Sequence, residues 1–103
     1  ALAQTAELLH ADVMYLEQQA TRTWQPQTLP RINRLDLREQ PQALQRRIVR
    51  QFLQHYLAHS VPFAHVEKFL HLIYAPNRSC CDRFSGGAWA EVDHPWIWLR
   101  DNS

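Results

Sequence analysis

Apolar residues recur at Leu2, Ala6, Leu9, Val13, Leu16 and Ala20, a 4, 3, 4, 3, 4 spacing. At 100° per residue they fall within about an 80° stripe, which predicts an amphipathic helix over residues 1–22. Leu8 and Tyr15 add a second, weaker apolar line, so this helix has two sides to cover and suits a connector between domains. Trp24–Pro30 (WQPQTLP) holds two prolines and no period, which reads as a loop or extended linker. Ile32, Leu35 and Leu37, set among Arg31, Arg34, Asp36 and Arg38, predict a short strand or extended segment. Gln40-Pro41 opens the most pronounced helix, because the missing proline N–H costs nothing in a first turn. Leu44, Ile48, Val49, Phe52, Leu53, Tyr56 and Leu57 carry its apolar face to about residue 58. Ser60-Val61-Pro62 marks a turn, and Val66, Phe69, Leu70 and Ile73 define a shorter helix that Ala75-Pro76-Asn77 stops.

From Ser79 the texture changes to aromatic and β-branched residues broken by Gly86-Gly87 and by Asp93-His94-Pro95. Cys80–Phe84, Ala88–Val92 and Trp96–Leu99 then read as a small antiparallel meander. The fold class expected is α+β, about three helices burying their apolar faces against a small antiparallel sheet and each other. A chain of 103 residues, 46% apolar, with four Trp, four Phe and three Tyr, is one domain's worth of core. No window approaches eighteen uninterrupted apolar residues, so no membrane span is expected. The chain opens at Ala1 directly in helical periodicity, which predicts a piece of a longer protein. Residues 1–23 are then a connector helix, and 24–103 a separate domain.

The net charge of +1 conceals an uneven distribution. Residues 31–50 hold six arginines against Asp36 and Glu39, while the segments on either side are net acidic. Ten of the eleven basic residues are Arg, whose planar fork suits phosphate and can stack on bases. On the second helix Arg47, Arg50, Gln51 and Gln54 fall together opposite the apolar face, with Arg46 at the edge. The functional reading is a phosphate-contacting stripe; the bland one is a solvated face with arginines paired to Asp36, Glu39 or Glu67.

Other motifs carry less. Ser85-Gly86-Gly87 has the start of the SGGxDS phosphate loop of ATP pyrophosphatases, but Ala88–Val92 continues as a strand where a helix is needed, so a hairpin turn is expected. His55 and His59 lie four apart on a helix without a third ligand, and no metal site is assigned. Adjacent Cys80 and Cys81 read as two reduced, half-buried thiols of a cytoplasmic protein. Trp89, Trp96 and Trp98 either form a platform for stacking unpaired bases or cover the core of the sheet. No arrangement of nucleophile and base marks a catalytic site.

The order of elements resembles a known family. The stretches LPRINRLDL (Leu29–Leu37), QALQRRIVRQFL (Gln42–Leu53), PFAHVEKFLHLI (Pro62–Ile73) and the closing GGAWAEVDHPWIWL are similar to the region after the catalytic domain in tRNA(Ile)-lysidine synthetases. The Arg46-Arg47-Ile48-Val49-Arg50-Gln51-Phe52-Leu53 run is the most specific part. The resemblance implies a parent enzyme that uses ATP and Mg to join lysine to the wobble cytidine of the CAU-anticodon isoleucine tRNA. It implies that the present chain, without SGGxDS, is the non-catalytic tRNA substrate-binding domain, partnered by an N-terminal catalytic domain. Arg46, Arg47 and Arg50, with Arg34 and Arg38 beside them, are the expected tRNA-binding residues. The alternative is a docking module with no RNA contact, motivated by the two-sided first helix, which also makes a homodimer of the isolated chain an expectation.

Overall fold

The computed structural model describes residues 2–57, 61–84 and 86–101, with side chains from Ala11 onward. The N-terminal periodicity becomes α1, Leu2–Thr23. The end of its stripe is covered, with Ala20 buried and Leu16 half-buried, whereas Val13 is exposed. Leu2, Ala6 and Leu9 lie outside the described side chains. The linker after α1 is irregular, as its prolines predict, and Tyr56 pins it: the hydroxyl accepts from the Gln27 N–H at 3.2 Å and lies against the Gln27 carbonyl.

The expected extended segment at residues 32–37 is only half extended. Strand β1 covers Arg31–Asn33, and the chain then turns into a short helix, α2, Arg34–Arg38. Leu35 and Leu37 are therefore helical, correcting the strand reading. The cause is Asn33, whose Oδ1 accepts from the N–H groups of Leu35 (2.9 Å) and Asp36 (3.3 Å) and so caps a helix start. Asp36 in the first turn adds a favourable charge at that end.

Pro41 stands at the N-cap of α3, Gln42–Tyr56, and Pro62 at that of α4, Phe63–His71. Leu57 leaves helical φ/ψ and caps α3; His59, of the His55–His59 pair, lies outside the described residues. Strands β2, Trp89–Asp93, and β3, Trp96–Arg100, pair antiparallel, and β1 joins the other edge of β3 to give the order β1-β3-β2.

Cys80–Phe84 is not a regular strand, against expectation. It runs beside β2 through one bridge, Cys80 to Glu91, and scattered hydrogen bonds such as Cys81 N–H to Ala90 O at 3.1 Å. The expected Gly-Gly hairpin is nonetheless present in outline: Phe84 N–H donates to Ala88 O at 2.7 Å, and Gly86 and Gly87 both take φ of +94°, which glycine adopts without a Cβ clash.

One buried cluster joins these elements. Ile48, Val49, Phe52 and Leu53 of α3 meet Val66 and Phe69 of α4, Ile32 of β1, and the inward residues Ala90, Val92, Ile97 and Leu99 of the hairpin. Phe52 is its aromatic hub, with Trp24, Tyr56 and Phe69 ring centroids at 5.6, 5.1 and 5.4 Å. Trp89, Trp96 and Trp98 alternate with the buried positions and lie half-buried on the opposite face, so they do not cover this core.

A second, polar tie positions α4. Arg34 and Arg38, one helical turn apart on α2, both reach the carbonyl groups just past the end of α4. Arg34 Nη1 donates to Leu72 O (3.2 Å) and Ala75 O (2.6 Å), and Arg38 Nε to Ile73 O (2.9 Å). Arg34 also donates from Nε and Nη2 to His94 Nδ1, at 3.0 and 2.9 Å, which makes that ring nitrogen an acceptor. Arg34 is 5% exposed, and burial, with Arg38 nearby, pushes its pKa below the usual arginine value. Gln45 completes the tie from α3, donating to Leu37 O at 2.8 Å.

Cys80 is exposed and Cys81 half-buried, both as free thiols. Burial pushes the Cys81 thiol up, although the Ala90 N–H on its Sγ (3.4 Å) works the other way.

Truncating Phe52→Ala should cost about 3–5 kcal/mol, read from the urea midpoint, because the hub cannot collapse onto one side; a cost below about 1 kcal/mol is incompatible with that role. Arg34→Met should lose about 3 kcal/mol by leaving two carbonyls and an imidazole nitrogen without donors, and Arg34→Lys should recover only part of it, since one ammonium cannot span the three acceptors. For the thiols, alkylation kinetics should show Cys80 reacting well before Cys81 at pH 8. Because Cys81 keeps its proton in the fold to higher pH than in the unfolded chain, its contribution to stability is present below the ordinary thiol pKa of ~8.5 and lost as pH rises through the folded value. Equal labelling rates would contradict the burial of Cys81.

Candidate nucleic-acid interface

The outer face of α3 carries the arginine run. At 100° per residue, Arg50 falls between Arg46 on one side and Arg47 on the other. These three side chains border a groove between α3 and α4 that is lined as well by Leu16 of α1 and by Val61, Phe63 and Val66. The structure thus brings together three of the five arginines expected at the site.

Each of the three has a different electrostatic setting. Arg46 leans toward α4, where it pairs with Glu67 and lies over the Phe63 ring at 5.4 Å. Arg47 leans toward α1 and pairs with Glu17 at 3.0 Å. Gln51 supports the same carboxylate from α3 at 2.9 Å. Arg50 is exposed and has no hydrogen bond or ion pair among the described residues. The Arg46–Glu67 pairing was legible from the sequence as the bland alternative; Glu17 was not, because its approach depends on how α1 packs. Both pairs are partly exposed, so each is worth only ~0–1 kcal/mol, and a phosphate can displace the carboxylate at small cost.

Arg34 and Arg38 lie elsewhere. Arg34 is buried with its donors committed to carbonyls and an imidazole, so it does not join the three arginines at the groove. Arg38 is half-buried, spends Nε on Ile73, and lies over the Tyr74 ring at 5.3 Å. Their i, i+4 spacing on a five-residue helix was the signal for a shared structural role, masked by the extended reading of that segment.

Other chemistry is thin. Among the described residues no three His, Cys, Asp or Glu side chains converge as a metal site. No described helix is long and apolar enough to cross a membrane. Gly86 and Gly87 lead into β2 and not into a helix, so they do not fit the phosphates of ATP.

A protein-family model described as the TilS substrate binding domain matches residues 33–95, from the Asn33 cap to the turn at Pro95. Curated relatives agree. A tRNA(Ile)-lysidine synthase of a Nostoc species is 47% identical over 98% of this chain and 34% of its own length. Those of a Synechocystis species and of Thermosynechococcus vestitus are 42% and 40% identical, over 93% and 96% of this chain and 30% of their own length. The chain spans about a third of the length of the relatives it matches. With a family model covering most of the fold described above, the chain belongs to the TilS substrate binding domain family.

Proposed function

We propose that this chain is the tRNA-recognition part of a tRNA(Ile)-lysidine synthase and that Arg46, Arg47 and Arg50 grip the RNA backbone at the mouth of the α3–α4 groove. The observation that carries this reading is the convergence of three guanidinium groups on one groove, the central one, Arg50, exposed and unpartnered among the described residues. Guanidinium forks suit phosphate oxygens, and the flanking carboxylates of Glu17 and Glu67 hold Arg46 and Arg47 in place until a phosphate displaces them. The substrate in this reading is the isoleucine tRNA with a CAU anticodon, whose wobble cytidine receives lysine. That ligation, its ATP and its Mg2+ are assigned to the part of the relatives beyond the matched span, because the described residues offer neither a phosphate loop nor a catalytic cluster. The whole enzyme then acts in the cytoplasm on its tRNA.

A docking role draws on a different observation: Val13, Met14 and Tyr15 of α1 are 40–61% exposed, apolar side chains on more than one side of the helix that the catalytic domain could cover. The two readings separate in a gel-shift titration against the CAU-anticodon isoleucine tRNA, with the CAU-bearing methionine tRNA as competitor, at two salt concentrations. Salt-sensitive binding is expected, and changing Arg47 and Arg50 together to Glu should weaken it by at least about tenfold and lower the salt slope by roughly two. Preference for the isoleucine tRNA gives this domain its own specificity; equal binding makes it a generic phosphate grip. Unchanged affinity and slope in the double variant overturn the groove assignment, and no binding by the parent chain leaves the docking role.

A further inference from the structure

The sheet has a second face, turned away from the core, and its composition is unusual. Strand alternation sets Trp89, Glu91 and Asp93 of β2, Trp96, Trp98 and Arg100 of β3, and Arg31 and Asn33 of β1 on that side. The register makes Arg31 and Glu91 the direct neighbours of Trp98, and Arg100 that of Trp89. The side chains interleave: the Arg31 guanidinium lies 3.8 Å from the Trp96 ring centroid and 5.2 Å from that of Trp98, and Arg100 lies 5.0 Å from Trp98. Arg83, from the segment beside β2, covers Trp89 at 4.6 Å. The face is a ladder of alternating indoles and guanidinium groups.

Such a ladder leaves the indole faces occupied, so it is poorly suited to stacking bases. What it offers outward is the edge of each guanidinium, with its N–H donors, on a side chain already held in place by rings. Arg100 has a loose carboxylate partner, Glu91 at 3.6 Å, and Arg83 donates to Gly87 O at 2.9 Å. The Arg31 guanidinium has neither ion pair nor hydrogen bond among the described residues, and its Nε, like Trp98 Nε1, is buried without a partner. A cation held this way normally finds an acceptor; Nε is covered, so the terminal Nη nitrogens, which are not among the buried atoms, are the donors a ligand would meet. Arg31 and Trp96 also wall an open cleft of about 150 Å³, lined in addition by Gln27, Asn33 and Gln40, which gives a ligand access to this end of the ladder.

We propose that this outer face is a second contact for the RNA sugar–phosphate backbone, with Arg31 donating to a phosphate and the indoles holding it ready. The proposal rests on the RNA-binding reading above but on other residues, since the sheet face shares none with the α3–α4 groove. Asp93, opposite Trp96 in the register, and Glu91 are the acidic groups of the strands on this face and set the contact at the Arg31 end. Asp36 also lines the cleft there, and the phosphate has to sit on the indole side of Arg31, away from it. Preorganised arginines lose little freedom on binding, so one contact of this kind has a measurable effect.

The test uses two readouts on the 103-residue chain and the isoleucine tRNA. First, Arg31→Gln should weaken binding by about tenfold and lower the salt slope by roughly one, with Arg31→Lys, which keeps the charge, falling in between. Second, in a Trp24→Phe background the remaining indoles all lie on the sheet face, and their emission should change saturably with added tRNA and return on raising salt. This optical signal keeps the proposal open to refutation even where an Arg31 variant folds poorly. An Arg31→Gln chain that binds as the parent does, together with silent indoles, overturns the sheet contact. If Arg50→Glu still weakens binding in that case, the groove reading stands alone; if it too has no effect, the RNA reading fails as a whole.

Discussion

The buried guanidinium of Arg34 is the constraint on which the arrangement of elements depends. From a five-residue helix it reaches two carbonyls beyond the end of α4 and the imidazole in the β2–β3 connection, so one side chain ties α2, α4 and the hairpin together. The backbone makes the same link, Arg34 N–H donating to Pro95 O at 2.9 Å. Placing a permanent cation 5% exposed is unfavourable unless its donors are used, and here every nitrogen of the fork finds an acceptor. Carbonyls past a helix C-terminus are a natural counterpart, because the helix dipole gathers negative potential there. With α4 held in this way, Phe69 is delivered to Phe52 and the groove between α3 and α4 acquires its second wall.

Arginine does three separate jobs within twenty residues of chain. Arg34 and Arg38 are interior ties. Arg46, Arg47 and Arg50 border a groove, two of them held by carboxylates whose grip is weak because water reaches the pairs. Arg31 stands on the sheet's outer face, cradled by indoles. A chain with net charge of only +1 therefore presents its positive charge at two chosen places, so electrostatic attraction to a polyanion is local and does not depend on an overall basic surface.

Much of the α+β layout was legible because long apolar periods leave few options. Val49, Phe52 and Leu53 have one face to bury, and the prolines at 41 and 62 mark the starts of α3 and α4. The failures came where a local polar contact or an edge outweighed the pattern. Leu35 and Leu37 looked like alternation, but Asn33 caps a helix there. Cys80–Phe84 has the residues of a strand yet makes only irregular bonds at the sheet edge, where no second neighbour enforces a ladder. The tryptophans were weighed as core or as platform, and they are neither, because guanidinium groups from neighbouring strands fill the spaces between them.

The sequence by itself determined the three longer helices and the closing hairpin, the apolar faces of α3 and α4, the cluster of arginines and the family resemblance, all of which follow from spacing along one segment. It did not separate one arginine from another. Whether a guanidinium ends at a carbonyl, a carboxylate, an indole or open solvent depends on which distant residue the fold brings within 3–5 Å: Ala75 for Arg34, Glu17 for Arg47, Trp96 for Arg31. Those partners lie 41, 30 and 65 positions away along the chain, and local periodicity contains no information about separations of that length. Tertiary packing alone supplied it, because hydrogen bonds and ion pairs act only over short distances in space.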